Sequence, residues 1–578
     1  MMHASAPPAV LVNYAASLKS KLLLCLLGSL FAAAPGALRA TEMDARHWQF
    51  FIDDFAVARG TGFDRIVHHP RPMGVVIPND KAWETAGMNP LYFARKSDGT
   101  FICFYDAVRW VANADGAMVR GKLQKDRAQQ YLNSLALATS RDGLHWDKPS
   151  LGFTEAAVSL DWKKFPPFPS PVGSSKENNL LGLSFGFIDL GQYGSVADPA
   201  RRYALSIDGK GYFTAELPDF INDRDWRNKL VPAGGSFSPR ENTLNFWDEQ
   251  HQEWVAMVQN AVPHWMPSRE IARFASKDLK EWRSEIALAP DPADPHRPDR
   301  YDEPMILFPY ATEGVVLGLL SWIHTDRTTP DGGPVMEKKP GDPAQGWPWP
   351  KTAENPYLWP WARKGMNEMR ITISRDGGHT WDRRSSRTAW IPHGTEQDSY
   401  DRLVIWASPP VQVGDEDWFY TGNYNGDHLV TRTTAHQETY YHDRARQGQI
   451  ALYVQKRNRY VSLSTGSQLE TLITRPFVIN GDALQLNVDA SRGRVRVGIG
   501  EYKPVLTLKN TTESTDPHLM EQNLLEGFTR DDCVPIEDNS IERVVQFKNG
   551  SSLKALQGRR VVLFIEVADA DLYAFRVK

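Results

Sequence analysis

The stretch SRDGGHTW at residues 374–381 carries the pattern that decides the fold, and it has counterparts in SRDGLHW at 140–146 and SKDLKEW at 276–282. Each stretch follows an apolar run that is typical of a strand. Ser and Asp side chains at these spacings bond the backbone amides of a tight turn, Gly tolerates a positive φ, and Trp begins the returning strand. The three stretches therefore predict β-hairpins in which the Ser, Asp and Trp residues are architectural.

Hairpin marks of this kind recur along the middle of the chain. Weaker ones lie at residues 208–209 and 456–458, so that marks starting at residues 140, 208, 276, 374 and 456 are 68, 68, 98 and 82 residues apart. The longest interval contains an insertion rich in Pro, Gly and Trp at 327–366. Repeats of this length with several short strands are typical of propeller blades. We therefore predict a five-bladed β-propeller over residues 45–465, closed by an early strand at residues 50–52.

Shorter alternating strands follow these repeats. Leu484, Leu486 and Val488 alternate with polar neighbours, and apolar runs at 561–567 and 572–577 end the chain. The pattern predicts a β-sandwich over residues 466–578 that packs on the propeller. The whole protein is accordingly predicted to be all-β.

Length and composition agree with this organisation. A chain of 578 residues is several times longer than one typical core needs, so we expect at least two domains. The 42 Gly and 39 Pro residues favour a globule rich in turns over a fibrous chain. A net charge of −4, without a cluster of Lys and Arg, offers no surface for phosphates, so no nucleic acid partner is expected.

The amino terminus is typical of an export signal. Lys19 and Lys21 precede an apolar run at 22–30, and small residues follow it at 32–37. The run is too short to span a bilayer as a stop-transfer helix. We expect residues 1–40 to be removed and the mature protein to be periplasmic or extracellular, with no membrane partner.

Several stretches taken together resemble one group of proteins. FFIDDFAVARG at 50–60, NFWDEQHQEWVAMV at 245–258, GFTRDDCVPI at 527–536 and the hairpin stretches are similar to exported bacterial proteins of the glycosyl hydrolase family 32-like group. That group is related to invertase, levanase and arabinanase-like enzymes. The resemblance implies a carbohydrate substrate held in the central funnel of the propeller and hydrolysis by a pair of carboxylates.

The same resemblance directs attention to the segments that would open the five blades. These segments are Met88-Asn89-Pro90, Glu177-Asn178-Asn179, Glu241-Asn242, Asp302-Glu303-Pro304 and residues 398–401. The resembled enzymes carry Asp in the first two blades and the acid Glu in the third, and this chain matches at Glu241. The candidates for the partner carboxylate are Glu84, Glu177, Asp302, Glu303 and Asp401. Adjacent side chains of a strand point to opposite faces, so at most one of Asp302 and Glu303 can serve, and we favour Glu303.

Other polar and aromatic residues are candidates for substrate binding. Amides stand at two openings where the family has carboxylates, and a histidine ends a strand near the same rim; these residues are Asn89, Asn178, Asn179 and His428. Trp347 and Trp349 of the insertion offer flat faces to sugar rings, with packing on the propeller as an equal alternative. No zinc-binding spacing occurs, so neither metal ligands nor a cofactor is predicted. A structural calcium ion stays an open alternative.

Two other functions stay open at this point. The hairpin at 374–381 also resembles those of sialidases, which need three arginines around the substrate carboxylate and usually have six blades. The amides at two blade openings leave room for a carbohydrate-binding propeller without catalysis. The sequence makes no prediction of oligomeric state, sugar or linkage.

Overall fold

The computed structural model describes most of the chain beyond residue 42. The described residues are 43–84, 87–112, 118–119, 130–159, 172–183, 186–193, 198–207, 210–237, 245–261, 269–294, 300–326, 364–396, 399–425, 448–502, 505–507, 510–514 and 524–578. Residues 45–578 form one compact unit, the second of the chain, to which all the strands given below belong. The predicted export signal lies outside the described residues. Within them, no helix has the length and apolar composition needed to cross a membrane.

Antiparallel strands build the second unit, which confirms the prediction of an all-β protein. The strands are β1 Gln49–Phe50, β2 Val57–Gly60, β3 Asp64–Val67, β4 Arg71–Ile77, β5 Gly87–Arg95, β6 Phe101–Ala112, β7 Met118–Val119, β8 Gln130–Ser140, β9 Trp146–Asp147, β10 Ala156–Ser159, β11 Val172–Ser175, β12 Leu180–Leu183, β13 Gly186–Asp189, β14 Tyr203–Ile207, β15 Lys210–Thr214, β16 Val231–Pro232, β17 Phe246–Asp248, β18 Glu253–Ala261, β19 Arg269–Ser276, β20 Arg283–Leu288, β21 Arg300–Thr312, β22 Val315–Asp326, β23 Lys364–Ser374, β24 Leu403–Ala407, β25 Val411–Val413, β26 Glu416–Tyr424, β27 Gln449–Lys456, β28 Val461–Ser464, β29 Glu470–Thr474, β30 Phe477–Val478, β31 Leu484–Asp489, β32 Arg494–Glu501, β33 Val505–Thr507, β34 Asn510–Ser514, β35 Asn539–Val544, β36 Arg560–Ala568 and β37 Asp571–Val577. Short 3-10 helices lie at Leu190–Tyr193, Pro199–Arg201, Trp226–Lys229, Ser385–Arg387 and Leu553–Leu556. The described residues contain no α-helix.

Among the described residues, five sheets of three or more strands follow one another along the middle of the chain, and β10 and β11 form a separate two-stranded sheet. Sheet 1 has the order β5-β6-β8-β12, sheet 2 β13-β14-β15-β16, sheet 3 β17-β18-β19-β20, sheet 4 β21-β22-β23 and sheet 5 β24-β26-β27-β4. Consecutive strands pair as antiparallel hairpins, which is what the turn motifs predict. One edge of each sheet is the first strand of the corresponding segment, namely β5, β13, β17, β21 or β24.

Neighbouring sheets pack through buried apolar clusters. Such a cluster joins sheets 1 and 2 at Phe104 and Phe187, sheets 2 and 3 at Phe213 and Trp254, sheets 3 and 4 at Met257 and Leu320, sheets 4 and 5 at Ile323 and Leu403, and sheets 5 and 1 at Tyr420 and Phe93. The five sheets thus contact one another in cyclic order, and the last contacts the first. Burial of apolar surface on both faces of each sheet is the main stabilising term in such packing.

The strand that completes sheet 5 differs from the predicted one. Residues 50–52 were predicted to fill this place, but β4 pairs with β27 there, and β1 pairs with β37 near the end of the chain. The burial of the two segments explains the difference. Phe50 and Phe51 are both buried, as in a segment covered on two sides, whereas β4 begins with exposed residues and so suits the edge of a sheet.

Two further sheets combine strands from both ends of the chain. One has the order β3-β28-β37-β31-β35 and the other β2-β29-β36-β30. The rings of Phe477 and Phe575 lie 5.8 Å apart, so the two sheets pack on each other. Residues 49–67 therefore join the C-terminal region instead of the segment 45–465 to which the sequence assigned them.

The three hairpin motifs form the turns that their residues predict. Oδ1 of Asp142 accepts hydrogen bonds from the backbone of Leu144, and Oδ1 of Asp278 and of Asp376 accept them from Lys280 and Thr380. In each turn the carboxylate also accepts a hydrogen bond from the hydroxyl of the preceding Ser. The architectural reading of these Asp residues is confirmed.

Candidate functional site

Two adjacent acids, Asp302 and Glu303, lie near the start of β21, the first strand of sheet 4. Both are buried. Successive side chains of a strand point to opposite faces, and the two carboxylates accordingly contact different groups. Asp302 contacts His324, whereas Glu303 contacts Arg269. The structure thus gives the two predicted acids separate surroundings.

Asp302 belongs to a network of charged side chains that we call the Asp302 cluster: Asp302, His324, Glu368 and Arg370. Asp302 lies opposite His324 in the register of β21 and β22, and its Oδ1 accepts a hydrogen bond from Nδ1 of His324. Nε2 of His324 lies 3.3 Å from Oε2 of Glu368. Oε1 of Glu368 accepts a 2.7 Å hydrogen bond from Nε of Arg370. Two carboxylates therefore flank one imidazole ring across three neighbouring strands.

Opposite charges shift the pKa values of His324 and Glu368. Burial alone would lower the pKa of His324, but hydrogen bonds to Asp302 and Glu368 outweigh this effect and raise it. Burial likewise opposes the charge of Glu368, yet His324 and Arg370 lower the pKa of Glu368 to about 2. Glu368 is therefore an anion near neutral pH. It can accept a proton or stabilise positive charge, but it cannot serve as a proton donor there.

Exposure distinguishes the members of the Asp302 cluster. The side chains of His324 and Glu368 are 12% and 10% exposed, whereas that of Asp302 is only 1% exposed. The guanidinium groups of Arg370 and Arg383 lie 4.4 and 4.5 Å from the ring of Trp322, which restricts the movement of Arg370. A molecule approaching from solvent would meet His324 and Glu368 before it met Asp302.

Glu303 is held by one arginine. Its Oε2 accepts a 2.9 Å hydrogen bond from the backbone N–H of Arg269, and its Oε1 lies 3.7 Å from Nη1 of the same residue. Both of these groups are donors, so the Glu303 carboxylate acts as an acceptor in this arrangement. That role suits a structural or charge-stabilising group better than the proton donor.

Glu84 and Asn179, two predicted site residues, meet through Tyr105. The Tyr105 hydroxyl donates to Oε1 of Glu84 at 2.6 Å and accepts from Nδ2 of Asn179 at 2.7 Å. Oε2 of Glu84 accepts a 2.8 Å hydrogen bond from Lys148. Burial raises the pKa of Glu84 despite the opposite charge of Lys148. Because Glu84 is completely buried, it is enclosed by protein groups and acts structurally in this conformation.

The sequence predicted that the segment Glu177-Asn178-Asn179 opens the second sheet. The structure shows that it does not. The strand that follows it, β12, pairs with β8 and forms the edge of sheet 1. Nδ2 of Asn178 donates to the backbone carbonyls of Thr154 and Ser175, which fixes the turn before β12. Glu177 is exposed on the same turn. Hairpin spacing alone could not reveal that sheet 1 has this late edge strand.

Asn89 lies near the start of β5, where three sheets converge. Its Oδ1 accepts a 2.7 Å hydrogen bond from the hydroxyl of Tyr424 in sheet 5. Tyr424 also packs in one apolar cluster with Met305 and Ile323 of sheet 4. Sheets 1, 4 and 5 therefore meet around Tyr424.

Asp106 is a buried acid at this convergence that the sequence reasoning missed. It lies opposite Asn89 in the register of β5 and β6, so the two side chains share a face of sheet 1. An acid inside the apolar run FICFYDAV at 101–108 was the available signal. The sequence-based candidates came from the first strand of each predicted blade. His324 and Glu368 were missed because they lie on the later strands β22 and β23.

Of the remaining predicted residues, Asp401 alone lies in the described part of the chain. Asp401 lies in the turn before β24, where its Oδ1 accepts a hydrogen bond from the hydroxyl of Ser399. The others lie outside the described residues, so their roles stay predictions; they are Glu241, Trp347, Trp349 and His428.

Among the described residues, one group combines side chains that commonly bind metal ions. It consists of Asp248, His251, Glu253 and His379, whose donor atoms lie within 4.8 Å of one another. The group lies where the turn between β17 and β18 meets the hairpin after β23. It shares no residue with the Asp302 cluster, and the sequence reasoning predicted no metal ligands there.

Comparisons with known proteins find remote similarities. No family model matches the chain, and no curated protein matches it. Solved structures similar to this chain include a glycosyl hydrolase from Bacteroides ovatus, with 11% identity, 72% of this chain and 98% of that chain covered, and a TM-score of 0.30. A glycoside hydrolase family 43 arabinoxylan arabinofuranohydrolase from Bacillus subtilis has 9% identity, coverage of 87% and 98%, and a TM-score of 0.27. Exo-inulinase from Aspergillus awamori has 12% identity, coverage of 88% and 99%, and a TM-score of 0.23. Similarity at this level supports no conclusion about the activity of this chain.

Proposed function

We propose that this chain is an exported glycoside hydrolase of the family 32-like group, with sheets 1 to 5 as the blades of a β-propeller. The observation that carries the proposal is the partly exposed carboxylate of Glu368, which His324 and Arg370 keep anionic. Glycoside hydrolysis uses two carboxyl groups on either side of the scissile bond. The cyclic packing of the five sheets supports a propeller, in which the first strands surround a common centre.

The reaction assigned to this site is hydrolysis of a glycosidic bond by water. Glu368, anionic and partly exposed, removes the proton of the attacking water or stabilises positive charge at the anomeric carbon. Glu241, which matches the acid of the resembled enzymes, donates a proton to the leaving oxygen. Water supplies the hydroxyl group to the anomeric carbon, so both products end in free hydroxyl groups. Asp302 and His324 position Glu368.

The proposed substrate is an oligosaccharide or polysaccharide. Asn89 and Tyr424 offer hydrogen-bonding groups where sheets 1, 4 and 5 meet, and sugar hydroxyls bind to such groups. Trp347 and Trp349 would supply stacking faces from the insertion. No cofactor takes part in this proposal.

A substrate panel with matched variants tests the assignment of the acid. Release of reducing ends from plant, algal and bacterial oligosaccharides is measured for the wild type, Glu241→Gln and the exposed control Glu281→Gln. General acid catalysis contributes on the order of a hundredfold to ten-thousandfold. Glu241→Gln should therefore lose at least about a hundredfold in turnover, and less on an activated aryl glycoside. Equal turnover of Glu241→Gln and wild type would reject Glu241 as the acid.

A carbohydrate-binding propeller without catalysis is the second candidate. The amide of Asn89 favours it, because it stands where the resembled enzymes carry a carboxylate. Calorimetric titration with the same panel distinguishes the two functions. Binding of a sugar that the wild type leaves uncleaved throughout the panel would support the binding function against the hydrolase.

The sialidase alternative receives less support from three arginines that lie on β23 or shortly after it. Arg370 and Arg383 both lie over the ring of Trp322, and Arg383 and Arg387 share Asp294 as a partner. Each of the three arginines pairs with an acid of the protein. Arg370 bonds to Glu368, and Arg383 and Arg387 both bond to Asp294. These guanidinium groups are therefore already neutralised, whereas a sialidase needs arginines that face the carboxylate of the substrate.

Export is part of the proposal and has its own test. Mass spectrometry of protein secreted by the producing cell should find a chain that starts near Thr41. Secreted protein that retains Met1 would contradict removal of residues 1–40.

A further inference from the structure

The group formed by Asp248, His251, Glu253 and His379, here called the hairpin cluster, joins two neighbouring sheets. Asp248 ends β17 and Glu253 begins β18, with His251 in the turn between them. His379 belongs to the SRDGGHTW hairpin that follows β23. The rings of His251 and His379 lie 4.8 Å apart, so two imidazoles from different sheets face each other across this contact.

The carboxylates beside the two histidines determine which ring nitrogen is available to bind a metal ion. Nδ1 of His251 lies 2.8 Å from Oδ2 of Asp248, and Nδ1 of His379 lies 2.6 Å from Oε1 of Glu285. An ionised carboxylate only accepts hydrogen bonds, so each Nδ1 carries a proton, and in the neutral imidazole each Nε2 keeps its lone pair. Metal-binding histidines are typically supported in this way by a carboxylate at the other nitrogen.

Nε2 of His379 supplies a second observation. This atom is buried and has no hydrogen-bond partner among the described residues. A buried polar atom without a partner is costly in a folded protein. A bound cation would satisfy its lone pair. His251 is 39% exposed, so a path from solvent to the hairpin cluster exists on that side.

The charges around the hairpin cluster leave room for a cation. Arg273 is buried beneath it and contacts Asp248 at 2.6 Å and Glu253 at 2.9 Å. Arg283 also pairs with Glu253. The three carboxylates of Asp248, Glu253 and Glu285 and these two guanidinium groups have a net charge of −1 when the histidines are neutral.

We propose that His251 and His379 bind a divalent transition metal ion through Nε2, with a carboxylate oxygen of Glu253 as third ligand and water completing the coordination. Imidazole nitrogen and carboxylate oxygen in a four-ligand arrangement suit Zn²⁺. The ion links the turn of sheet 3 to the hairpin of sheet 4. It stabilises the contact between two neighbouring sheets and takes no part in hydrolysis.

Calorimetric titration of the full chain with zinc chloride, after removal of metals with a chelator, tests this site. We expect one Zn²⁺ per chain and a higher melting temperature in its presence, because a ligand that binds only the folded state stabilises it. Removal of a group that supports a metal ligand typically weakens metal binding at least about tenfold, and removal of the ligand itself weakens it more. His379→Gln and His251→Gln should therefore each raise the Kd for Zn²⁺ at least about tenfold. His251 lies on a partly exposed turn, so His251→Gln keeps the test valid if His379→Gln does not fold.

His145→Gln is the matched control. Nδ1 of His145 lies 2.7 Å from Oδ2 of Asp142, a contact like that of His251, but the His145 side chain is 89% exposed. This variant should bind Zn²⁺ as the wild type does. Absence of zinc binding by the wild type, or binding that neither His251→Gln nor His379→Gln weakens, would overturn the proposal. Neither outcome bears on the hydrolase function, which is measured separately by sugar release.

Discussion

Asp417 shows how burial alone can change the chemistry of one residue. Its Oδ2 accepts hydrogen bonds of 3.1 Å from the hydroxyl of Tyr460 and from the backbone of Asn458. Burial nevertheless raises the pKa of Asp417 to about 6, because those bonds only partly offset the loss of water. The folded protein thus binds a proton more tightly than the unfolded chain, whose Asp has a pKa of 3.8. The stability that this difference contributes is present below about pH 4 and is lost as pH rises through 6.

Replacement of Asp417 by Asn should remove this pH dependence. The rise from 3.8 to about 6 corresponds to roughly 3 kcal/mol. Asp417→Asn should therefore be more stable than wild type at pH 8, by an amount of that order, and similar to it at pH 4. Urea unfolding at both pH values measures the difference. The neighbouring control Asp415→Asn, 79% exposed, should show little change, and a destabilised Asp417→Asn at pH 8 would contradict the account.

Single residues also show what a sequence can and cannot predict about a site. The turn role of Asp376 was predictable because Ser374, Asp376 and Thr380 bond one another within seven residues. The Asp302 cluster was not, because Asp302, His324 and Glu368 come together only through the register of three strands. Asp302 was a candidate through its position alone. Its partners carried no motif that spacing could reveal.

The hairpin at 374–381 depends on one carboxylate. Oδ1 of Asp376 accepts a hydrogen bond from the backbone of Thr380, and Oδ2 accepts one from the Thr380 hydroxyl. Asp376→Ala should lose about 1–2 kcal/mol of unfolding free energy, since a backbone donor then lacks its acceptor. Asp376→Asn retains an acceptor and should keep most of the stability. Equal unfolding free energies of Asp376→Ala and wild type would show that the carboxylate does not support the turn.

The strands differ in how well the sequence predicted them. The strands beside the hairpin motifs were predictable, because apolar runs end at residues with clear turn chemistry. The strand that completes sheet 5 was not, because β4 lies nearly four hundred residues before its partner β27 and local patterns carry no information about that pairing. The exposed first residues of β4, RPM at 71–73, were the signal of an edge strand.

For the whole molecule, the contact between sheets 5 and 1 completes the cycle of sheets. Ile77 of β4 is fully buried in the apolar cluster shared by these sheets, whereas Met73 of the same strand is 41% exposed. Ile77→Ala should cost about 2–5 kcal/mol, because it leaves a cavity in a packed core. Met73→Ala should change stability by less than about 0.5 kcal/mol. Thermal and urea unfolding measure both, and equal effects of the two substitutions would contradict the packing described for β4.

The glycoside hydrolase site that we propose for this arrangement of sheets lies at the Asp302 cluster. The turnover number of Glu368→Gln, on a sugar that the wild type cleaves, tests it most directly. Circular dichroism confirms that the variant is folded at the assay temperature. Because Glu368 supplies the negative charge that an amide lacks, turnover should fall at least about a hundredfold. A folded Glu368→Gln variant that retains turnover within about twofold of wild type, well short of the general-base contribution, would contradict the claim.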